Sequence, residues 1–123
     1  MSADIPVTPY DAVLGLRVVR KYLDQPVTSD DRQAILEAGR WTGSAKHRQD
    51  WLFLVVVDPE QQARLAECGQ FSQPLRDARF LGVPVRTPGG YEFDIGRVSQ
   101  NMMLAAAARG VGSGPVTLHD DSC

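Results

Sequence analysis

Residues Trp51-Leu-Phe-Leu-Val-Val-Val57 run straight into Asp58-Pro59-Glu60-Gln61, so an apolar stretch is followed at once by a helix start. The stretch shows no polar alternation, and such a run reads as a strand covered on both faces. Asp58 can cap, Pro59 suits the first helical position and Gln61 stands three residues after the cap, which predicts a helix over 59–68 that Gly69 stops.

Upstream, 42–50 is a polar segment with Gly43 and several cations. Before it, Thr28-x-x-Asp31 resembles a capping box, and Ala34, Ile35, Ala38 and Trp41 follow at helical spacing, which predicts a helix over 29–41. Arg17-Val-Val-Arg-Lys-Tyr22 mixes β-branched and aromatic residues with cations and reads as an extended basic connector ended by Pro26. Thr8-Pro9 starts a short helix over 9–16. Downstream, Phe80–Val85 is a second strand that Pro84 moves toward an edge, and Pro88-Gly89-Gly90 is a loop. Ile95, Val98, Met102, Ala105 and Ala106 share one face of a predicted helix over 91–109, with Gly110 as its stop. Ser113 to Leu118 is a third short strand candidate. Helices alternating with buried strands predict layered α/β or α+β architecture, in one domain over 1–123.

Composition narrows the function classes. The chain has 123 residues, 43% hydrophobic and 23% charged, which fits one ordinary globular domain. Thirteen Lys plus Arg against fifteen Asp plus Glu leave a net charge of −2, with no long block of either sign, so no nucleic-acid partner is expected. The longest apolar run falls far short of the roughly 20 residues a membrane-spanning helix needs, so no membrane partner is expected. Residues 1–10 lack the basic-then-apolar order of a secretory signal, and the expected compartment is the cytoplasm. There Cys68 and Cys123 are expected as thiols without a role.

Several chemical motifs are absent or misplaced. Gly110, Gly112 and Gly114 follow a helix, whereas a dinucleotide-binding glycine motif follows a strand and opens one. Ser44, His47 and Asp50 have the residue types of a nucleophilic triad but no surrounding motif, and no catalytic side chain is assigned. His47 and His119 are far apart in sequence, so no metal site is expected. Arg17 and Arg20, three apart on an extended connector, could converge their forked donors on a phosphate or an electron-rich ring, or simply form a solvated basic edge. The 43–49 segment has the small residues, hydroxyl and donors that an anion or cofactor would use, a composition common to many loops.

In order along the chain, these pieces resemble the nitroreductase family of flavin-dependent oxidoreductases. Arg17-Val18-Val19-Arg20-Lys21-Tyr22 is similar to the family's R-S-x-R-x-[FY] segment. Thr42-Gly43-Ser44-Ala45-Lys46-His47-Arg48-Gln49-Asp50-Trp51 resembles its P-S-x-x-N-x-Q-P-W loop. Asp94 to Gly112 resembles its D-x-G-x-x-x-Q-N-x-x-L-x-A helix with a G-[LV]-G end.

The resemblance implies an α+β sandwich with a small central sheet flanked by helices, homodimeric, with FMN between subunits and NADH or NADPH as electron donor. It implies that Arg17, Val18 and Arg20 line the flavin site. Ser44 and His47 would reach the flavin from the other subunit, and Pro115, Val116 and Thr117 would face its N5 side with their backbone. Hydride would pass through FMN to a small acceptor such as a nitroaromatic or quinone. The alternatives are a non-catalytic dimer of the same fold that binds flavin weakly or sequesters a ligand, or a member using a deazaflavin. Val18 replaces the family's usual Ser, His47 its Asn and Asp50 its Pro. The helix, strand and C-terminal segment that usually follow position 118 in the family are not in this sequence, so a C-terminally short member is expected.

Overall fold

The structure is a computed structural model that describes residues 7–69 and 72–118. Thr8 and Asp11 form a reciprocal capping box that opens α1 (Pro9–Gly15). Thr28 caps α2 (Ser29–Arg40) through the Asp31 amide. The Asp31 carboxylate, expected to complete a box there, instead accepts from Arg109 Nε at 2.6 Å. Asp58 caps α3 (Pro59–Leu65), and a short α4 (Pro74–Asp77) follows. The long α5 (Glu92–Ala108) is the last α-helix among the described residues.

Two strands, β1 (Trp51–Val56) and β2 (Leu81–Arg86), form an antiparallel sheet in which Trp51 faces Arg86 and Val56 faces Leu81. Because side chains alternate along a strand, Trp51 and Phe53 share one face while Leu52, Leu54 and Val56 share the other. The first face packs under α2 and α5, around Ile35, Val98, Met102 and Ala106. Val98 has no exposed surface at all. Gly39 permits this approach: a Cβ there would lie 2.9 Å from Phe53 Cζ and 3.0 Å from Met102 Cγ.

The second face is covered only at one end. There Val56, Leu81 and Val83 join a cluster with Ala66 and Leu75, from the α3 and α4 region, and with Val116. Leu52 and Leu54 remain 58% and 53% exposed. The expectation that β1 is covered on both faces is thus corrected, because α3 and α4 reach only its Val56 end.

The third strand expected over 113–118 does not form; the segment makes one parallel bridge, Ser113 to Val18, and otherwise runs without ladder pairing. The helix expected over 59–68 ends at Leu65 and closes in a turn. Cys68 is buried and disulfide-bonded rather than a thiol; Cys123 and His119 lie outside the described residues. Among the described residues no helix is long and apolar enough to cross a membrane.

Candidate functional site

The basic connector is fixed at its start and again at Val18 and Val19, while the Arg20 side chain between these contacts and Tyr22 stands unengaged among the described residues. Arg17 Nη1 donates to the carbonyls of Leu14 at 2.9 Å and Leu16 at 3.0 Å, satisfying the end of α1. Val19 N–H donates to Ser113 O at 2.8 Å, beside the Val18–Ser113 bridge. Two glycines make this approach possible: a Cβ on Gly112 would sit 2.9 Å from Val19 Cγ2, and one on Gly114 would sit 2.8 Å from Val19 O. Tyr22 lies over the same junction, its hydroxyl 3.2 Å from that second position. Burial pushes the Tyr22 phenol above its usual value, and the Arg20 charge pulls it partly back. Arg20 is exposed, and its guanidinium makes no hydrogen bond or ion pair among the described residues. Its forked donors are therefore available to an anion.

Beyond the junction, Val116 packs into the cluster under α3 and α4, and Thr117 O lies 3.1 Å from the position a Cβ would take on Gly69. Pro115 and Thr117 are exposed.

The 43–50 loop is held at both ends and strained in the middle. Lys46, His47 and Gln49 have φ of 54°, 55° and 54°. The left-handed region costs a residue with a Cβ roughly 1–2 kcal/mol, and such strain persists only where the surroundings impose it. Ser44 Oγ accepts from Gln49 N–H at 2.9 Å, and the Ser44 carbonyl from His47 N–H at 3.0 Å. From α5, Arg97 Nη1 donates to Gly43 O at 3.0 Å and Asn101 Nδ2 to Thr42 Oγ1 at 2.9 Å. The Thr42 hydroxyl, on a residue only 4% exposed, donates in turn to Ala38 O at 3.3 Å. At the far end Asp50 O accepts from Thr87 N–H at 3.1 Å, while Arg48 pairs with Asp50 at 2.9 Å and lies over the Tyr91 ring. Ser44 and Asp50 are thus committed to backbone and to Arg48, and no Ser44–His47–Asp50 relay exists. No cluster of metal-ligating residues occurs among the described residues.

The expected site residues therefore gather in two groups. Arg17, Val18 and Arg20 stand by 112–114, just past the C-terminal end of α5. Ser44 and His47 stand on the loop tied to Arg97, nearer its start. From Arg97 to Ala108 the helix rises about 16 Å, and no side-chain hydrogen bond or ion pair joins the groups among the described residues. The supports from Arg97, Asn101 and Arg48 were not assigned from sequence. Asn101 lay inside a quoted motif, but its partner is 59 positions away.

The chain matches the model described as "Nitroreductase family" over residues 15–69. It is 32% identical over 104 residues to an Archaeoglobus fulgidus protein named "Putative NADH dehydrogenase/NAD(P)H nitroreductase", covering 79% of this chain and 60% of that one. A solved "putative nitroreductase in complex with fmn" from Desulfovibrio desulfuricans is 30% identical with a TM-score of 0.77, covering 89% of this chain and 67% of the other. A Parabacteroides distasonis structure, "Putative NADH dehydrogenase/NAD(P)H nitroreductase", gives a TM-score of 0.79 at 29% identity, covering 84% of this chain and 64% of that one. The chain belongs to the nitroreductase family and has its α+β fold. It spans about 60% of the length of the curated relatives it matches.

Proposed function

We propose that this chain is the core of a homodimeric, cytoplasmic flavin-dependent oxidoreductase that binds FMN between subunits, with residues 1–123 acting as one domain. The reading rests on the separation of two donor groups along α5. Each group is half of a binding site, and two copies with antiparallel α5 helices would bring the Arg20 group of one against the Ser44 and His47 loop of the other. The exposure of the apolar side chains Leu52, Leu54, Tyr10, Val13 and Phe93 supports a partner copy.

The residues fit FMN. Arg20 has unengaged donors for a phosphate or for the electron-rich N1/O2 edge of the ring, where a fixed cation favours added negative charge. Arg17, partly used on α1, has donors left over, and Val18 offers an apolar flank. Gly112 and Gly114 keep the backbone bare of side chains beside the connector. Pro115, Val116 and Thr117 would present main chain to the flavin, and Val116 anchors that segment through its packed side chain. Ser44 and His47 supply polar atoms from a rigid loop.

Bound FMN would supply two-electron chemistry between NADH or NADPH and a nitroaromatic, quinone or similar acceptor. The similarity to the FMN complex from Desulfovibrio desulfuricans and to a Vibrio harveyi NADPH:FMN oxidoreductase complexed with NAD+ supports this choice of cofactor and donor. The test is the visible spectrum after incubation with FMN and desalting, followed by NADPH oxidation with an artificial acceptor. Retained flavin bands and turnover are expected, and Arg20→Ala should lose flavin while staying folded. A folded protein that retains no flavin and does not turn over rules the reading out.

A further inference from the structure

We propose that Arg97 and Asn101 are positioning residues that hold the 43–49 loop so that Ser44 and His47 meet the flavin in one fixed orientation; this rests on the flavin reading above. The two lie four apart and so on one face of α5. Both reach the same short stretch from a helix whose adjacent face, about 100° round, is anchored in the core by Val98 and Met102. Arg97 takes the Gly43 carbonyl immediately before Ser44. Asn101 takes Thr42, which in turn bonds the last turn of α2 through Ala38. The loop beyond them carries three residues with a Cβ in the left-handed region, a conformation it would leave if its ends were free to move. Fixing the ends transfers the rigidity of the α2–α5 pair to the loop.

Neither residue is needed merely to join α2 to α5. The Ile35, Val98 and Met102 packing does that, and so does the ion pair of Arg109 with Asp31 at the far end. A loose loop and a weakened helix pair are therefore separable.

The experiment compares Arg97→Met, Arg97→Lys, Asn101→Leu and Arg109→Met with the wild-type dimer. Two quantities are measured: hydrogen exchange of the His47, Arg48 and Gln49 amides without ligand, and FMN affinity by quenching of flavin fluorescence. Arg97→Met and Asn101→Leu should each speed loop exchange about tenfold and weaken FMN about tenfold, with a shifted visible band for the flavin that remains. Arg97→Lys keeps a donor for Gly43 and should restore most of both. Arg109→Met should lower thermal stability and leave loop exchange and FMN affinity unchanged.

Unchanged loop exchange in Arg97→Met overturns the proposal, as does faster exchange with unchanged FMN affinity. If Asn101→Leu does not fold, the Arg97 pair decides alone. A wild-type protein with a protected loop that takes up no FMN overturns the flavin reading, and the positioning role with it. Wild-type FMN binding with an indifferent Arg97→Met removes only the positioning role.

Discussion

Arg109 Nε lies 2.6 Å from Asp31 Oδ1, joining the C-terminal end of α5 to the first turn of α2 across 78 positions of sequence. Each charge stands where its own helix favours it, the carboxylate at an N-terminus and the guanidinium at a C-terminus. The hydrogen bond from Arg109 holds the Asp31 carboxyl below its usual value, against a smaller opposing effect of desolvation. A depressed carboxylate adds stability above its unfolded pKa of about 3.9, and that increment is lost as pH falls through the lower folded value. The stability gap between wild type and Arg109→Met should therefore be constant near neutrality and close below about pH 4. Urea titrations across that range check it, and a gap unchanged in acid would mean the pair contributes nothing through Asp31.

Tyr22 makes the opposite case. Its phenol is raised by burial, so its contribution is complete below the unfolded pKa of about 10 and is lost as pH rises toward the folded value. The 17–22 and 112–114 junction should loosen in alkali. Tyr22→Phe should remove that alkaline step, seen as a flat stability profile between about pH 9 and 11 where wild type declines.

Glycines past α5 separate two kinds of backbone demand. Gly110 has φ of +74° and open space around it, so Gly110→Ala should cost about 1–2 kcal/mol from conformation alone. A Cβ on Gly114 would lie 2.8 Å from Val19 O, so Gly114→Ala should cost about 1–3 kcal/mol by forcing the two segments apart. Only the second should also increase hydrogen exchange at the Val19 amide. Equal exchange in both variants would show that the approach is not set by the missing Cβ.

Val98 is the most fully enclosed apolar side chain of the core. Val98→Ala should destabilise by about 2–3 kcal/mol, the lost transfer energy of two carbons plus a cavity that α2 and β1 cannot fill. Equilibrium unfolding measures this directly, and a loss below about 1 kcal/mol would indicate that the core collapses around the gap.

A shared flavin site predicts complementation. Arg20→Ala and Ser44→Ala should each abolish FMN retention when present in both subunits. A dimer of one Arg20→Ala chain and one Ser44→Ala chain, isolated through two affinity tags, has one site with both lesions and one with neither. It should hold half the wild-type flavin. No flavin in that mixed dimer would place both residues in a site made by a single chain.

Local chemistry made much of the fold legible. Thr8, Thr28 and Asp58 cap the helices predicted at their positions because a cap needs only the next three residues. What failed were features that depend on distant partners. The β-branched Val116 and Thr117 suggested a strand, but a ladder needs a neighbouring strand, and among the described residues the segment's one bridge is from Ser113 to Val18. The apolar run 51–57 gave no sign that α3 and α4 stop short of Leu52 and Leu54. Helix α4, four residues long, depends partly on Gln62 reaching the Ala78 carbonyl at its end, a contact with no local signature. At the candidate site the residue types on the connector and loop were readable, while the Arg97 and Asn101 bonds that fix the loop span 54 and 59 positions.

The bond between Val19 and Ser113 also orders events during synthesis. Its two residues leave the ribosome roughly 5–20 s apart at ordinary elongation rates, so α1 and the basic connector emerge long before the segment that receives them. Through that interval Val18, Val19 and Tyr22 have no native cover from 112–114, and the connector remains open to chaperones and proteases. Slowing translation between α2 and α5 should therefore lower the yield of folded protein more than slowing it after Gly114, once the junction residues have been made.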